Sequence, residues 1–339
     1  MTLATPPGTA RPRTAWILTD GKAGDELQCL GVAEALGVSP ELRRVRPRPP
    51  FVWTMPWFGI DPAEAPAKAQ SPIRPPFPDI VLASGRRAVT YLRHVKQASA
   101  GRTFTVFLKD PRVGAGAADF IWVPAHDRLR GPNVLVTDTS PHRFSAARLA
   151  AERQAPWPVL ADLPRPRIAI VLGGDSRRVR YEPADFAAFV AAATAPFAAE
   201  SASFMVTASR RTPPAFAEAV SGALAGTAHY WWDGTGDNPY PQMLALADGL
   251  VVSGDSVNMV DEALATGAPV RVFQPKNTDA RVADRLARLA AAGLVDLWMR
   301  DGPTRRLEKP VGHTIDSTPT IAAAILERYA AFHEQAGPA

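Results

Sequence analysis

Three short polar segments in the second half of the chain contain the residue types that bind phosphate. They are Gly173-Gly174-Asp175-Ser176, Ser209-Arg210-Arg211-Thr212 and Ser253-Gly254-Asp255-Ser256, and each follows an apolar run. Glycine lets a backbone approach a ligand closely, and a guanidinium group binds two phosphate oxygens at once. If the apolar runs are parallel strands, the three segments meet at one edge of a sheet. Together they predict a diphosphate site.

A helix is predicted directly after the third segment. Asp255 or Ser256 is a suitable N-cap, and the positive end of the helix favours an anion. Glu262 follows about two helical turns later, where its carboxylate could accept hydrogen bonds from sugar hydroxyls. On its own this pattern is more typical of a capped helix with a surface glutamate. Its combination with the other two segments favours a ligand site.

The first half of the chain also has polar residues after its apolar runs. Candidate phosphate or acceptor contacts are Gly21, Lys22, Gly24, Ser84, Arg86 and Lys109. Candidate acid–base residues are Asp25, Asp110 and His126. The Gly21–Gly24 loop lacks the Walker spacing, which excludes a P-loop NTPase. A tight turn explains that loop equally well, and a single loop histidine is more often structural than catalytic.

The apolar runs alternate with helical patterns and predict an α/β fold with two Rossmann-like, doubly wound domains. The predicted strands cover 15–19, 79–83, 104–108, 120–123 and 133–137, then 167–172, 203–207, 229–232, 249–252 and 269–273.

The predicted domain boundaries follow from proline clusters and composition. They are a disordered lead-in over 1–13, an N-terminal domain over 14–154 with a proline-rich insertion at 40–78, a linker at 155–166, a C-terminal domain over 167–315 and a helix within 316–339. That helix has no strand partner in the pattern, and packing back on the N-terminal domain is one option for it.

Composition narrows the function classes. The net charge is +5, but the arginines form short clusters, not the basic stripe with aromatics that nucleic-acid binding needs. Such clusters suit small phosphorylated ligands or an anionic membrane surface, and an excess of solvated surface arginine is an equal alternative. The single cysteine indicates a reducing compartment, so we expect a cytoplasmic location. No His/Cys/Asp cluster has metal-ligand spacing.

Residues 46–58 mix prolines, arginines and aromatics. Such a segment could lie at a membrane interface, which would make the protein peripheral on the inner membrane. A proline-rich insertion folded onto its own domain is the favoured alternative.

Several stretches carry a family resemblance. Residues 16–26, 209–213, 237–240 and 248–262 resemble the mitochondrial-fission ELM family, whose members are also described as glycosyltransferases. More distantly, the second half resembles the donor domain of GT-B glycosyltransferases. That resemblance implies two Rossmann-like domains facing each other across a cleft.

The resemblance also implies site roles. The donor diphosphate would bind at Asp255-Ser256, Glu262 would bind ribose, and neither metal nor cofactor would be needed. The catalytic base would come from the N-terminal domain, but no motif chooses among His126, Asp110 and Asp25.

The resulting hypothesis is a metal-independent transfer of sugar from a nucleotide-sugar to a lipopolysaccharide-type or lipid-linked acceptor of the cell envelope. The alternatives are a nucleotide-sugar epimerase on the same fold, or a non-catalytic, membrane-associated adaptor of the mitochondrial-fission type.

Overall fold

The computed structural model describes residues 10–195, 197, 201–300 and 314–336. These residues form two compact units. Unit 1 comprises the described residues up to Arg143 and from Asp316, and unit 2 comprises those from Phe144 to Ile315. Most of the predicted lead-in, residues 1–9, lies outside the described residues. Arg13, at its end, donates its backbone N–H to Asp79.

Unit 1 is built on a six-stranded parallel sheet. Its strands are β1 (Ala15–Thr19), β2 (Pro40–Arg44), β3 (Ile80–Ser84), β4 (Phe104–Leu108), β5 (Phe120–Pro124) and β6 (Val134–Thr137). Their order is β2-β1-β3-β4-β5-β6, and every neighbouring pair is parallel. The strands β1, β3, β4 and β5 are buried along their whole length, which explains why they are continuous apolar runs.

The helices of unit 1 cover the two faces of this sheet. Before Arg143 they are α1 (Ala23–Leu36), the single turn α2 (Phe51–Thr54) and α3 (Ala88–Ala98), and the last helix of the chain, described below, joins them. Alternate strand residues point to opposite faces. Ile17 therefore packs in the same cluster as Cys29 of α1, whereas Leu18 packs with Leu92 of α3.

The start of the predicted insertion is regular structure. Residues 40–44 form β2, and Phe51–Thr54 form a helical turn. β2 is an edge strand with Pro40 as its first residue, a position where a missing N–H donor is tolerated. The turn α2 begins directly after Pro50, so no proline interrupts it. The prolines thus mark the ends of these elements and do not prevent them.

Unit 2 repeats the same architecture. Its strands are β7 (Arg167–Leu172), β8 (Val179–Arg180), β9 (Ser203–Ala208), β10 (His229–Trp232), β11 (Gly249–Ser253), β12 (Val270–Gln274), β13 (Asn277–Thr278) and β14 (Asp296–Met299). The main sheet has the order β10-β9-β7-β11-β12-β14 and is parallel throughout. The short strands β8 and β13 form an antiparallel pair of their own.

The helices of unit 2 are α4 (Ala146–Gln154), α5 (Pro158–Ala161), α6 (Pro183–Thr194), α7 (Pro214–Ala223), α8 (Tyr240–Leu246), α9 (Val257–Leu264) and α10 (Ala280–Ala291). The chain enters unit 2 before α4, so the segment predicted as a linker, 155–166, lies inside this unit. The Gln242 amide holds it there by donating to the carbonyls of Glu152 and Ala155.

The last helix, α11 (Thr318–Ala336), belongs to unit 1. Ile321 and Ile325 are fully buried in the cluster that also contains β4 and β5 residues. Tyr329 and Phe332 make edge-to-face contacts with Phe104, at 5.6 Å and 5.3 Å between ring centroids. Among the described residues, no helix combines the length and the apolar character needed to cross a bilayer.

Candidate functional site

The strand order of unit 2 brings the three predicted polar segments together. β9, β7 and β11 are adjacent and parallel, so their carboxyl ends lie side by side. Residues 173–176 follow β7, residues 209–212 follow β9, and residues 254–256 follow β11. We call this place the unit 2 edge. It is the position at which open α/β sheets bind ligands.

Asp255 connects these segments. Its fully buried carboxylate accepts from the Gly174 N–H at 3.0 Å, the Tyr181 hydroxyl at 3.0 Å and the Ser253 hydroxyl at 2.8 Å. Arg211 completes the set with an N–H···O contact of 2.9 Å. Four donors from three strand ends and the β8 region therefore meet on one carboxylate. The Asp255 side chain fixes the shape of the edge and does not point to solvent.

Both glycines of the first segment are required by this packing. A Cβ on Gly173 would lie 2.1 Å from Asp255 Oδ1, and a Cβ on Gly174 would lie 1.9 Å from the Arg211 carbonyl oxygen. Their N–H groups are also used internally, because Gly173 donates to the Ser253 hydroxyl at 2.5 Å and Gly174 to Asp255. The glycines permit close contact between loops.

The two arginines of the second segment differ. Arg211 donates to Asp255 and to the carbonyls of Gly174 and Asp175, each at 3.0 Å or less. The exposed Arg210 has no side-chain hydrogen bond or ion pair with any described residue. Only Arg210 of this pair thus has its guanidinium available for a ligand.

The flanking hydroxyl residues of that segment are structural. Thr212 donates to the Gly173 carbonyl at 2.6 Å and accepts from the Ser209 N–H at 3.0 Å. The Ser209 hydroxyl accepts from the Arg211 N–H at 3.2 Å. These bonds close the β9 loop against β7.

Ser256, not Asp255, caps the helix at this edge. Its hydroxyl accepts from the Met259 N–H, and α9 begins at the next residue. The first N–H groups of an α-helix have no acceptor within the helix, and its start carries a partial positive charge. The unit 2 edge therefore presents a helix N-terminus and the Arg210 guanidinium, both suited to an anion.

Glu262 lies on the second turn of α9 and is almost fully buried. It accepts a hydrogen bond of 2.9 Å from the Tyr240 hydroxyl. Burial raises the pKa of Glu262 to about 7, although the bond from Tyr240 opposes this. Burial and the adjacent Glu262 raise the pKa of Tyr240 well above its ordinary value. The simpler interpretation predicted a surface glutamate, but the Glu262 carboxyl is buried. With a pKa of about 7 it can exchange a proton near neutral pH.

Sequence reasoning missed several residues of this edge. Tyr181 is 74 residues from Asp255 in sequence, and no local pattern indicates their contact. Arg177 and Arg178 are exposed, and no described residue pairs with either side chain. Arg180 lies 3.8 Å from Asp175. The positive charge of the run Arg177-Arg178-Val179-Arg180 is the sequence pattern that could have indicated these residues.

The corresponding edge of unit 1, which we call the unit 1 edge, holds two Asp–Lys pairs. Lys22 Nζ lies 2.9 Å from Asp20 Oδ2, and Lys109 Nζ lies 2.5 Å from Asp25 Oδ1. These residues follow β1 and β4, the strands on either side of β3. Lys109 has a φ of 95°, a backbone conformation that costs a non-glycine residue about 1–3 kcal/mol.

Asp20 was not among the predicted site residues. Its side chain is only 3% exposed, and its Oδ1 atom has no hydrogen-bond partner among the described residues. The atom faces Gly85, where a Cβ would lie 3.2 Å from both Asp20 Oδ1 and Asp25 Oδ2. Gly85 has a φ of +95°, so this turn favours glycine for its backbone conformation too.

The other predicted residues of unit 1 occupy the same edge with different roles. Ser84 is buried and donates to the Leu108 carbonyl, Asp110 accepts from the Arg112 N–H, and the exposed Arg86 has no partner among the described residues. His126 is half-buried in the turn after β5.

The glycines of the first loop differ from each other. Gly21 has a φ of +86°, whereas Gly24 lies within α1. Next to them, Arg44 donates twice to Glu26, at 2.7 Å and 2.9 Å, and this contact lowers the pKa of Glu26. Across the described ranges, no group of three or more His, Cys, Asp or Glu side chains is placed to hold a metal ion.

Solved structures share this fold. The UDP-GlcNAc 2-epimerase of Methanocaldococcus jannaschii aligns with a TM-score of 0.53 at 10% identity, over 93% of this chain and 99% of that chain. The S. aureus MnaA structure with UDP aligns with a TM-score of 0.53 at 11% identity, over 95% and 97%. At such identities the likeness shows the fold alone, which is the GT-B-like pair of Rossmann-like units.

Sequence relatives place the chain more closely. Mitochondrial fission protein ELM1 of Arabidopsis thaliana is 26% identical over 242 residues, which is 64% of this chain and 56% of that protein. An uncharacterized protein of Rickettsia prowazekii is 29% identical over 142 residues, which is 40% of this chain and 37% of that protein. The matches thus span 37% to 56% of the length of these relatives. The family model for mitochondrial fission ELM1 matches residues 23–329, and the chain therefore belongs to this family.

Proposed function

We propose that the protein binds a nucleotide-sugar at the unit 2 edge and transfers the sugar to a cell-envelope acceptor without a metal ion. The observation that carries the proposal is the Asp255 network. It holds three strand ends in one fixed arrangement beside the start of α9 and leaves Arg210 without an internal partner. A site whose donors are held in place before the ligand arrives loses little entropy on binding.

The charges of the unit 2 edge support a diphosphate as the anion. The N-terminus of α9 supplies N–H donors, and the Arg210 guanidinium can contact two oxygens. Arg177 and Arg178 add positive charge next to the β7 end. The same groups would stabilise the leaving diphosphate during transfer, which is the role that a metal ion has in other enzymes.

Glu262 supports a sugar hydroxyl as a further contact. Its carboxyl has a pKa of about 7, so near neutral pH it can either accept or donate a hydrogen bond. Tyr240 occupies one of its oxygens. We propose that the other side of the carboxyl recognises the ribose of the nucleotide, with Tyr240 setting its orientation.

The acid–base group is proposed to come from unit 1. Of the predicted candidates, Asp25 is paired with Lys109, and Asp110 accepts from a backbone N–H. Asp20 has one unpartnered, buried carboxylate oxygen among the described residues. A carboxylate with an unused lone pair is suited to accept a proton from an acceptor hydroxyl. We therefore add Asp20 to the candidates and prefer it to Asp25, Asp110 and His126.

Two other functions have specific support. The solved structures that share this fold include a UDP-GlcNAc 2-epimerase, which favours epimerisation as a second candidate. An epimerase would change the donor sugar without any acceptor, and proton NMR of the sugar after incubation distinguishes the two reactions. The Arabidopsis relative is named for mitochondrial fission, which favours a non-catalytic adaptor. An adaptor would need no nucleotide.

Thermal unfolding with and without nucleotides tests the proposal. UDP is the first ligand to try, because the MnaA structure contains it. At one hundred times its dissociation constant a ligand stabilises by about 2.7 kcal/mol. We expect UDP or another nucleoside diphosphate to raise the unfolding temperature. Failure of every nucleoside diphosphate and nucleotide-sugar to do so would leave the adaptor as the better interpretation.

The variant Arg210→Ala makes this test specific. It should leave the unfolding temperature without nucleotide unchanged and weaken nucleotide binding at least about tenfold, the loss of roughly one charge-assisted hydrogen bond. Arg288→Ala is the matched control, because Arg288 is also exposed and without a described partner. Equal effects of the two substitutions would show that Arg210 is not in the binding site.

A further inference from the structure

Unit 1 has one group of strongly exposed aromatic side chains. Trp53, Trp57 and Phe58 are 70%, 61% and 68% exposed. They lie within six consecutive residues, whereas the other exposed large hydrophobic residues of the described chain are scattered. We call these three residues the aromatic patch. Single exposed apolar side chains are common on protein surfaces. A cluster of large ones indicates an interaction site.

The aromatic patch is presented by a fixed segment. Met55, between the two tryptophans, is fully buried, and the hydroxyl of Thr90 on α3 donates to the Pro56 carbonyl at 3.3 Å. Before the patch, Arg48 donates twice to the buried Asp61, at 2.8 Å and 2.7 Å. The backbone is therefore anchored on both sides of Trp53. The rings are therefore exposed because of how this segment is folded onto unit 1.

Arginines lie near the patch in the sequence and on α3, the helix that contacts its segment. Arg46 precedes the patch in the sequence, Arg87 is the N-cap of α3, and Arg93 lies on α3 three residues after Thr90. No described residue forms a side-chain hydrogen bond or ion pair with any of these three guanidinium groups.

The nearby carboxylates are already occupied. Asp61 is paired with Arg48, and Glu64 accepts from the Tyr91 hydroxyl and from the Arg46 N–H. Glu64 is bonded to neutral donors and keeps its negative charge, but the three unpaired guanidinium groups outnumber it, so this surface combines exposed aromatic rings with a net positive charge.

We propose that the aromatic patch docks unit 1 on a bilayer that contains anionic phospholipids. Tryptophan and phenylalanine insert at the depth of the headgroups, where the rings meet acyl chains. Arginines next to them can contact lipid phosphates and strengthen binding to an anionic surface. Neither a purely apolar partner nor a soluble anion would use both features. The inference concerns where the protein acts and does not depend on the nucleotide site.

Vesicle co-sedimentation of the full chain tests this docking. We expect the protein to sediment with vesicles of equal parts phosphatidylcholine and phosphatidylglycerol, and much less with phosphatidylcholine alone. The variant W53A/W57A/F58A should lose at least about tenfold in vesicle affinity. The control V159A/M299A removes two exposed apolar side chains of unit 2 and should bind as the unchanged protein does. Salt at about 1 M, where the Debye length is about 3 Å, should weaken the binding.

Other results would overturn the proposal. Absence of binding to anionic vesicles would do so, and so would equal binding by the triple variant. If gel filtration shows a dimer that the triple variant abolishes, while vesicles bind neither protein, a second copy of the chain covers the patch. The unfolding temperature of the triple variant, with and without UDP, checks that fold and nucleotide binding are retained. If UDP does not raise the unfolding temperature of the unchanged protein, that result counts against the proposed function and not against the docking of the aromatic patch.

Discussion

The two edges have the same sheet architecture, but their buried carboxylates differ in how many hydrogen bonds they accept. At the unit 2 edge, Asp255 accepts four hydrogen bonds and is closed off by them. At the unit 1 edge, Asp20 is equally buried, but one of its oxygens has no partner among the described residues. Buried polar groups are normally paired, because an unpaired one costs about 1–3 kcal/mol.

This difference suggests that the unit 2 edge binds the ligand and that the unit 1 edge supplies the reactive group. Residues that satisfy each other build a rigid binding surface, as Asp255 and Arg211 do. An unsatisfied carboxylate oxygen, together with the strained backbone of Lys109, lowers stability and persists where it has a use. We therefore expect substitutions within the Asp255 network of the unit 2 edge to affect stability and binding together. Substitutions at the unit 1 edge should affect chemistry more than stability.

The largest effect should come from Asp255→Ala. It leaves the Gly174 N–H and the Tyr181 hydroxyl without their acceptor and Arg211 without its partner, so we expect a loss of about 3 kcal/mol or more. Urea unfolding followed by circular dichroism measures the loss, and UDP should no longer protect the variant. Asp284→Ala is the control, because Asp284 is exposed and unpaired among the described residues. A change below about 1 kcal/mol would mean that Asp255 is not the connecting residue and would remove the contrast between the edges.

The next effect is a pH dependence that comes from Glu262. Its pKa is about 7 in the folded protein and 4.5 in the unfolded chain, so folding favours its protonated form. The stability that this proton contributes is complete below about pH 4.5 and is lost as the pH rises to about 7. The full difference is about 3 kcal/mol.

Glu262→Gln isolates this dependence, because the amide keeps an acceptor for Tyr240 and cannot titrate. The free energy of unfolding of the unchanged protein minus that of the variant should fall by about 2–3 kcal/mol between pH 5 and pH 8. Unfolding at a series of pH values measures it. A difference that stays constant would mean that Glu262 is solvated, and it would then not be a buried acid beside the unit 2 edge.

The sequence predicts the sheet architecture well because long, buried, parallel strands are continuous apolar runs. It misses β2 as an edge strand, since only two of its five residues are even partly buried and its first residue is proline. It finds the three segments of the unit 2 edge because glycines and arginines follow strands there. It cannot separate Arg210 from Arg211, because their difference depends on contacts with Gly174, Asp175 and Asp255, which are distant in sequence.

Asp20 was missed for a related reason. In the sequence it is one of several charged residues around Gly21, and only the fold places Gly85 against its free oxygen. A local pattern can show that a carboxylate follows a strand. Whether that carboxylate is satisfied depends on which loops reach it.

The smallest effect on stability, and the sharpest test of the contrast, should come from Asp20→Asn. Its Lys22 partner is mostly exposed, so we expect a change within about 0.5 kcal/mol. Asp25→Asn is the matched variant on the same edge and should cost about 1 kcal/mol through its contact with Lys109. In an assay of nucleotide-sugar consumption, Asp20→Asn should lower turnover about a hundredfold or more, with UDP binding retained. If Asp25→Asn abolishes turnover while Asp20→Asn does not, the paired carboxylate is the base. The unpaired oxygen of Asp20 would then be only a consequence of how the chain packs around Gly85. An unsatisfied carboxylate would no longer identify the edge that carries the catalytic base.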